Sequence, residues 1–162
     1  MKLRILVAMA LVTFPCASAT AAEGEAKGTL SYKGTTLELK HAYFVKGPDA
    51  VDPKTILRRL ILSRDDLGAR LGGCTTMNCV DGAITEGMEV DFDAGPRLNY
   101  WLALNGGRVQ YSGTAVPSVA KVGGDDPKRL AGKLSIDDAA AGGPRVEVEF
   151  TATLLKEFTA AR

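Results

Sequence analysis

The side chains able to do acid–base or metal chemistry are few. The chain carries one histidine, His41, and three cysteines, Cys16, Cys74 and Cys79. A Ser-His-Asp or Cys-His mechanism needs an imidazole base, so any such site must be built on His41. His41 alternates with Leu37, Leu39, Tyr43 and Val45, while Thr36, Glu38 and Lys40 take the opposite parity. Two readings follow from that face. His41 is either a core or barrel-interior histidine bonded to a hydroxyl or carbonyl, or, with Tyr43, a polar group lining a ligand cavity.

The carboxylates that could share a proton are Asp65-Asp66, Glu89-Asp91-Asp93 and Asp125-Asp126. Glu89, Asp91 and Asp93 lie on one strand face, roughly 7 Å apart by strand rise. Met88, Val90 and Phe92 make the other face apolar, which predicts a solvated outer surface for the three acids. Asp65 and Asp66 suit the start of a helix, where the macrodipole favours negative charge. Asp125-Asp126 lacks the spacing of an EF-hand loop. Gly72-Gly73 and Gly123-Gly124 do not sit between a strand and a helix as a phosphate loop requires. The expectation is no catalytic residue, no metal site and no cofactor.

Cys74 and Cys79 flank Thr75-Thr76-Met77-Asn78. In an oxidising compartment a pair this close is expected to form a disulfide. The sharper alternatives are a redox-active pair, or a Cu(I) site from Cys74, Met77 and Cys79 to which only His41 could add an imidazole. The spacing differs from the Cys-x-x-Cys of thioredoxin-like enzymes. Trp101 shares parity with Asn99 and Ala103, against Leu98, Tyr100, Leu102 and Leu104. It is therefore expected to face away from the main core, either as a sugar, lipid or protein contact or packed beneath a loop or helix.

The elements that must carry these residues begin after a leader. Lys2 and Arg4 precede an apolar run from Ile5 to Phe14, then Pro15 and the small residues Ala17 to Ala22. This is the layout of a signal peptide over residues 1–22, cut after Ala19, Ala21 or Ala22. Its apolar run is about half the length of roughly 20 residues needed to cross a bilayer. Thr13-Phe14-Pro15 argues against lipidation of Cys16, because bulky residues stand where small ones are required. Without the leader, eighteen bases face nineteen acids, since Lys2 and Arg4 are its only charges. That balance gives no basic excess for holding nucleic acid. No second run reaches transmembrane length, and the expected location is periplasmic or secreted.

Residues 23–162 read as one all-β domain of about eight antiparallel strands, a small barrel or sandwich. Alternation marks strands around Leu30–Tyr32, Leu37–Val45, Ile56–Leu62, Met88–Phe92, Leu98–Leu104, Val109–Ala115, Leu130–Ile136 and Val146–Leu154. Gly34 marks a tight turn, and Asn105-Gly106-Gly107 is a strong hairpin signal. Ser63 followed by Asp65 and Asp66 predicts a short capped helix near residues 63–71. The outward faces carry Glu, Asp, Lys and Thr, which a lipid-facing barrel would not tolerate.

The layout resembles small exported bacterial β-proteins. The carrying segments are Gly28-Thr29-Leu30 with Gly34, Leu60-Ile61-Leu62-Ser63, Leu130-Ala131-Gly132-Lys133-Leu134 and Val148-Glu149-Phe150-Thr151-Ala152. The resemblance implies an exported β-domain and transfers no catalytic residue or ligand. The functional expectation is a non-enzymatic binding or envelope-associated module, its partner a small ligand or an envelope protein. The alternatives are a lipocalin-like barrel holding a small apolar ligand, with His41 and Tyr43 inside, and an exported hydrolase.

Overall fold

The structure is a computed structural model that describes residues 24–106, 108–123 and 126–162. The leader expected at residues 1–22, Cys16 within it, and Asp125 lie outside the described residues. Among the described residues nine strands form one sheet. They are β1 (Gly24–Tyr32), β2 (Thr35–Pro48), β3 (Ile56–Ser63), β4 (Gly87–Phe92), β5 (Leu98–Leu104), β6 (Arg108–Ala115), β7 (Ala120–Gly123), β8 (Arg129–Asp137) and β9 (Arg145–Glu157). Two short helices, α1 (Gly68–Gly73) and α2 (Met77–Asp81), interrupt the chain between β3 and β4.

The strand order is β6-β5-β4-β3-β2-β1-β9-β8-β7. These neighbours are antiparallel, and the far end of β9 also meets β2 in parallel, at Phe44 with Leu154 and Lys46 with Glu157. A flat sheet of nine strands would hold β6 and β7 roughly 38 Å apart at the usual strand spacing. Only residues 116–119 join them, however, with a 3-10 turn over Pro117–Val119. Five extended steps reach at most about 18 Å, so the sheet must curl until its two edges approach. The result is a half-barrel. β1 and β9 pair, as a closed barrel would require, yet they do so in the middle of the sheet rather than at a seam between its edges.

The inside of the curl is filled by side chains from strands throughout the sheet. Leu30, Leu60, Leu62, Met88, Tyr100 and Leu102 are each sealed from solvent. At one end the Tyr100 hydroxyl donates to Asp138, and the Tyr32 and Tyr111 rings meet at 5.6 Å. A second core covers the outside of β2 and β3, where Leu71, Met77 and Val80 of the helical excursion pack on Tyr43, Val45 and Ile61. β3 is thus buried on both faces along most of its length.

Two tight turns follow their residue types. Lys33-Gly34 and Asn105-Gly106 all hold positive φ, the conformation that two-residue hairpins of the right twist demand. The sheet differs from expectation in three places. β7 was not anticipated. The helix expected near residues 63–71 starts only at Gly68, because Ser63 is still paired in β3, opposite both His41 and Gly87. The third is a bulge: β1 uses four steps from Gly24 to Gly28 where β2 uses three from Leu39 to Ala42. The inward set of β2 therefore shifts by one. Leu37 and Leu39 join the inner core with Ala42 and Phe44, while Tyr43 and Val45 join the outer one.

Gly28, where pairing with β2 resumes after the bulge, is pressed against β9. A Cβ there would lie 2.0 Å from the Glu147 carbonyl oxygen and 2.5 Å from Val148 Cα, which are backbone atoms that cannot rotate away. Gly28→Ala is expected to cost more than about 2 kcal/mol. Urea unfolding checks this, as a lowered midpoint at unchanged slope.

Candidate functional site

The outer face of β3, β4 and β5 carries two cross-strand rows. One runs Val45, Arg59, Asp91, Asn99, and the next runs Tyr43, Ile61, Glu89, Trp101. The helical excursion covers the β2–β3 end of both rows; on β5 it shares the outer core with Ala103 and stops short of Asn99 and Trp101. A cavity of about 530 Å³ opens where it stops. Arg59, Glu89, Asp91 and Asp81 line its floor; Trp101 and Val109 lie on one side and the 48–51 loop on the other. That volume lies within the range of small-molecule pockets.

Arg59 organises the floor. Its Nε donates to Asp91 Oδ1 at 2.6 Å and its Nη2 to Asp91 Oδ2 at 2.8 Å, a bidentate fork. Its Nη1 donates to Asp81 of α2 and lies 3.6 Å from Glu89 Oε2. The side chains of Arg59, Asp91 and Glu89 are 8%, 3% and 10% exposed. Burial pulls the Arg59 pKa down, but the Asp91 hydrogen bonds and the attraction of Glu89, Asp91 and Asp81 together carry it upward. Burial raises the Asp81 carboxyl against the pull of Arg59.

Glu89 is the acid that the guanidinium does not satisfy. Its Oε2 is buried and accepts no hydrogen bond from any described residue. Burial pushes its pKa up to about 7, against the attraction of Arg59 and with the repulsion of Asp81 and Asp91. Glu89 can therefore exchange a proton near neutrality.

The expectation that Glu89, Asp91 and Asp93 form a solvated surface is corrected for the first two. They are buried at the bottom of the pocket and neutralised in part by Arg59, which also binds Asp81 of α2; only Asp93 is exposed, clasping Arg58 through two hydrogen bonds. The overlooked signal is Arg59 itself. A base in the middle of a buried strand must find acids on its neighbours, and β4 offers them at the matching register.

Of the other candidates, Trp101 faces outward as expected, half-buried in the pocket wall. Tyr43 is not beside it: three strand spacings separate them, roughly 14 Å. The Tyr43 hydroxyl donates to Asp66 Oδ1 at 2.7 Å and accepts from the Leu67 amide at 2.8 Å, which ties the excursion to the sheet. His41 is half-buried and stacks on the Tyr43 ring with centroids 6.4 Å apart. It is on the outer face with Tyr43, not inside the curl with Leu37 and Leu39.

Cys74 and Cys79 form a disulfide. The bond closes the loop from which α2 presents Asp81, and both sulfurs are thereby withdrawn from any Cu(I) ligand set. Further ties hold this layer. Lys156 donates to the carbonyls of Gly72 and Cys74, and the amides of Met77 and Asn78 donate to Ala160 and Ala161. Among the described residues, no three His, Cys, Asp or Glu side chains are grouped to hold a metal. No described helix is long and apolar enough to cross a membrane. Comparison with known protein families, with characterised proteins and with solved structures gave no match.

The Glu89 carboxyl links stability to pH. Its pKa is raised from 4.5 in the unfolded chain to about 7 in the folded one, so the contribution it makes is complete below pH 4.5 and is lost as pH rises through 7. Glu89→Gln removes that loss. The variant is expected to match the parent near pH 4.5 and to exceed it at pH 8 by about 1–3 kcal/mol. Urea unfolding at the two pH values measures the difference.

Proposed function

We propose that this chain is an exported, non-enzymatic binding module of the cell envelope, and that the outer-face pocket is where it binds. The observation that carries the reading is a concave site of small-molecule size with the chain's only tryptophan in its wall and a buried, unsatisfied carboxylate in its floor. The leader-like residues 1–22 support export, and the Cys74–Cys79 disulfide is compatible with an oxidising compartment.

The other readings have less support. A lipocalin-like barrel needs a hollow interior, whereas the inside of this curl is filled by Leu30, Leu60, Leu62, Met88 and Leu102. A hydrolase would find an acid–base group in Glu89. Of its carboxylate neighbours, Asp91 has both oxygens engaged by Arg59, and Asp81 is paired with the same guanidinium.

Trp101 reports on the pocket directly. Titration of the full chain with neutral, anionic and cationic small molecules is expected to give a saturable change in its emission for one class. Calorimetry should then show more than tenfold weaker binding by Trp101→Ala, with the circular dichroism of the sheet unchanged. Saturation by none of the three classes would overturn the reading. So would a turnover activity abolished by Glu89→Gln in the folded protein. For export, N-terminal sequencing of the protein recovered from the envelope fraction should begin at residue 20, 22 or 23; retention of Met1 there contradicts it.

A further inference from the structure

Among the described residues, four acids line the pocket, Asp49, Asp81, Glu89 and Asp91, against one base, Arg59. Three of the acids are engaged. Asp81 and Asp91 hold Arg59, and Asp49 Oδ1 accepts from the Val51 amide. Glu89 has only the 3.6 Å approach of Arg59 and accepts no hydrogen bond at Oε2, although it is nine-tenths buried and lines the cavity. Directly across the strand pair from it stands Trp101. Apolar surface rims the opening, with Val51 90% and Val109 63% exposed.

We propose that the pocket binds the positively charged end of an organic amine, an alkylammonium group held between the Glu89 carboxylate and the face of Trp101. The proposal rests on the reading of the pocket as a binding site and names what it takes. An anion would meet the excess of carboxylates. A neutral ligand would leave Glu89 Oε2 buried without a partner, which is costly. A divalent metal needs several carboxylates at once, and Arg59 already occupies both oxygens of Asp91 and one of Asp81. An ammonium group needs only one carboxylate and gains from an aromatic face beside it. Its alkyl chain then lies along Val51 and Val109 at the rim. A free alkylamine and the lysine side chain of a polypeptide present the same chemistry.

Binding should follow the charge of Glu89. The groups that face it are Arg59 from β3, Asp91 beside it on β4 and Asp81 from α2; β5 contributes Trp101 and Asn99, which do not titrate. A cation favours the ionised carboxylate, so affinity rises as pH passes through 7.

The test uses the full chain, Trp101 emission and calorimetry, with n-butylammonium, n-butanol and butyrate as matched probes. Butylammonium is expected to saturate, butyrate to show no binding, and butanol to bind at least tenfold more weakly. Butylammonium should bind about tenfold more tightly at pH 8 than at pH 6. Glu89→Gln should lose at least tenfold in affinity at pH 8, together with the pH dependence. Asp93→Asn, a carboxylate on the same chain segment outside the pocket, should change neither. Equal binding of butanol and butylammonium, or an unaffected Glu89→Gln, overturns the amine while the pocket reading stands. Absence of binding by all three probes overturns both. A lysine-containing tetrapeptide and its Nζ-acetylated form separate the sources. Tighter binding of the unmodified peptide than of butylammonium supports a polypeptide lysine, and the reverse supports a free amine.

Discussion

The outer face of the sheet is organised around one buried guanidinium. Taking a cation out of water costs several kcal/mol, and the cost is offset only when its donors are matched in good geometry. Arg59 meets that condition by spending its fork on Asp91 and its remaining edge on Asp81. Two consequences follow from the same geometry. α2, only five residues long, is fixed in position by an ion pair as well as by its apolar side. Glu89, which also lies beside Arg59, receives the leftover approach at 3.6 Å and no hydrogen bond. The planar shape of one side chain thus selects which of three acids stays unsatisfied.

Around that centre the sheet serves as a wall between two cores. β2 and β3 are buried on the inner face by the curl and on the outer face by the excursion between β3 and β4. The excursion has little regular structure of its own, so it is pinned at intervals. Tyr43 holds its start, Lys156 the end of α1, the disulfide its middle, and the backbone of residues 160–161 the start of α2. The pocket floor inherits this order, because its acids come from the wall and from the last residue of α2.

Strand identity was readable where alternation was undisturbed. β5 and β9 show it, and the outward parity of Trp101 follows from it. β7 leaves no such signal, because four residues, Ala-Lys-Val-Gly, are too few to establish a period. Ser63 followed by two acids has the residue types of a helix cap, yet pairing with β2 and β4 on both sides kept it extended. Parity puts His41 on the face of Leu37 and Leu39, because a bulge leaves no mark in the residue pattern. The burial of Glu89 and Asp91 is hidden from the residue pattern for a different reason. Alternation ranks one strand face against the other; it is silent on whether a distant segment comes to cover the more polar one. Arg59 held that information, as a charge that a buried strand cannot keep alone.

The short link between β6 and β7 bears on how the chain finds this arrangement. Read across the sheet from β7, the strands follow as β7-β8-β9 and then β1 to β6, two up-and-down runs laid end to end. Each run grows by pairing with a strand close in sequence, where loop-closure entropy is small. Distant partners meet only at the junction of β9 with β1 and β2. The described sheet thus has the strand order of a circularly permuted meander: its first and last described strands lie side by side in the interior, and the strands at its edges are neighbours along the chain. Most of the sheet can assemble as local ribbons, and a single join between two halves commits the whole.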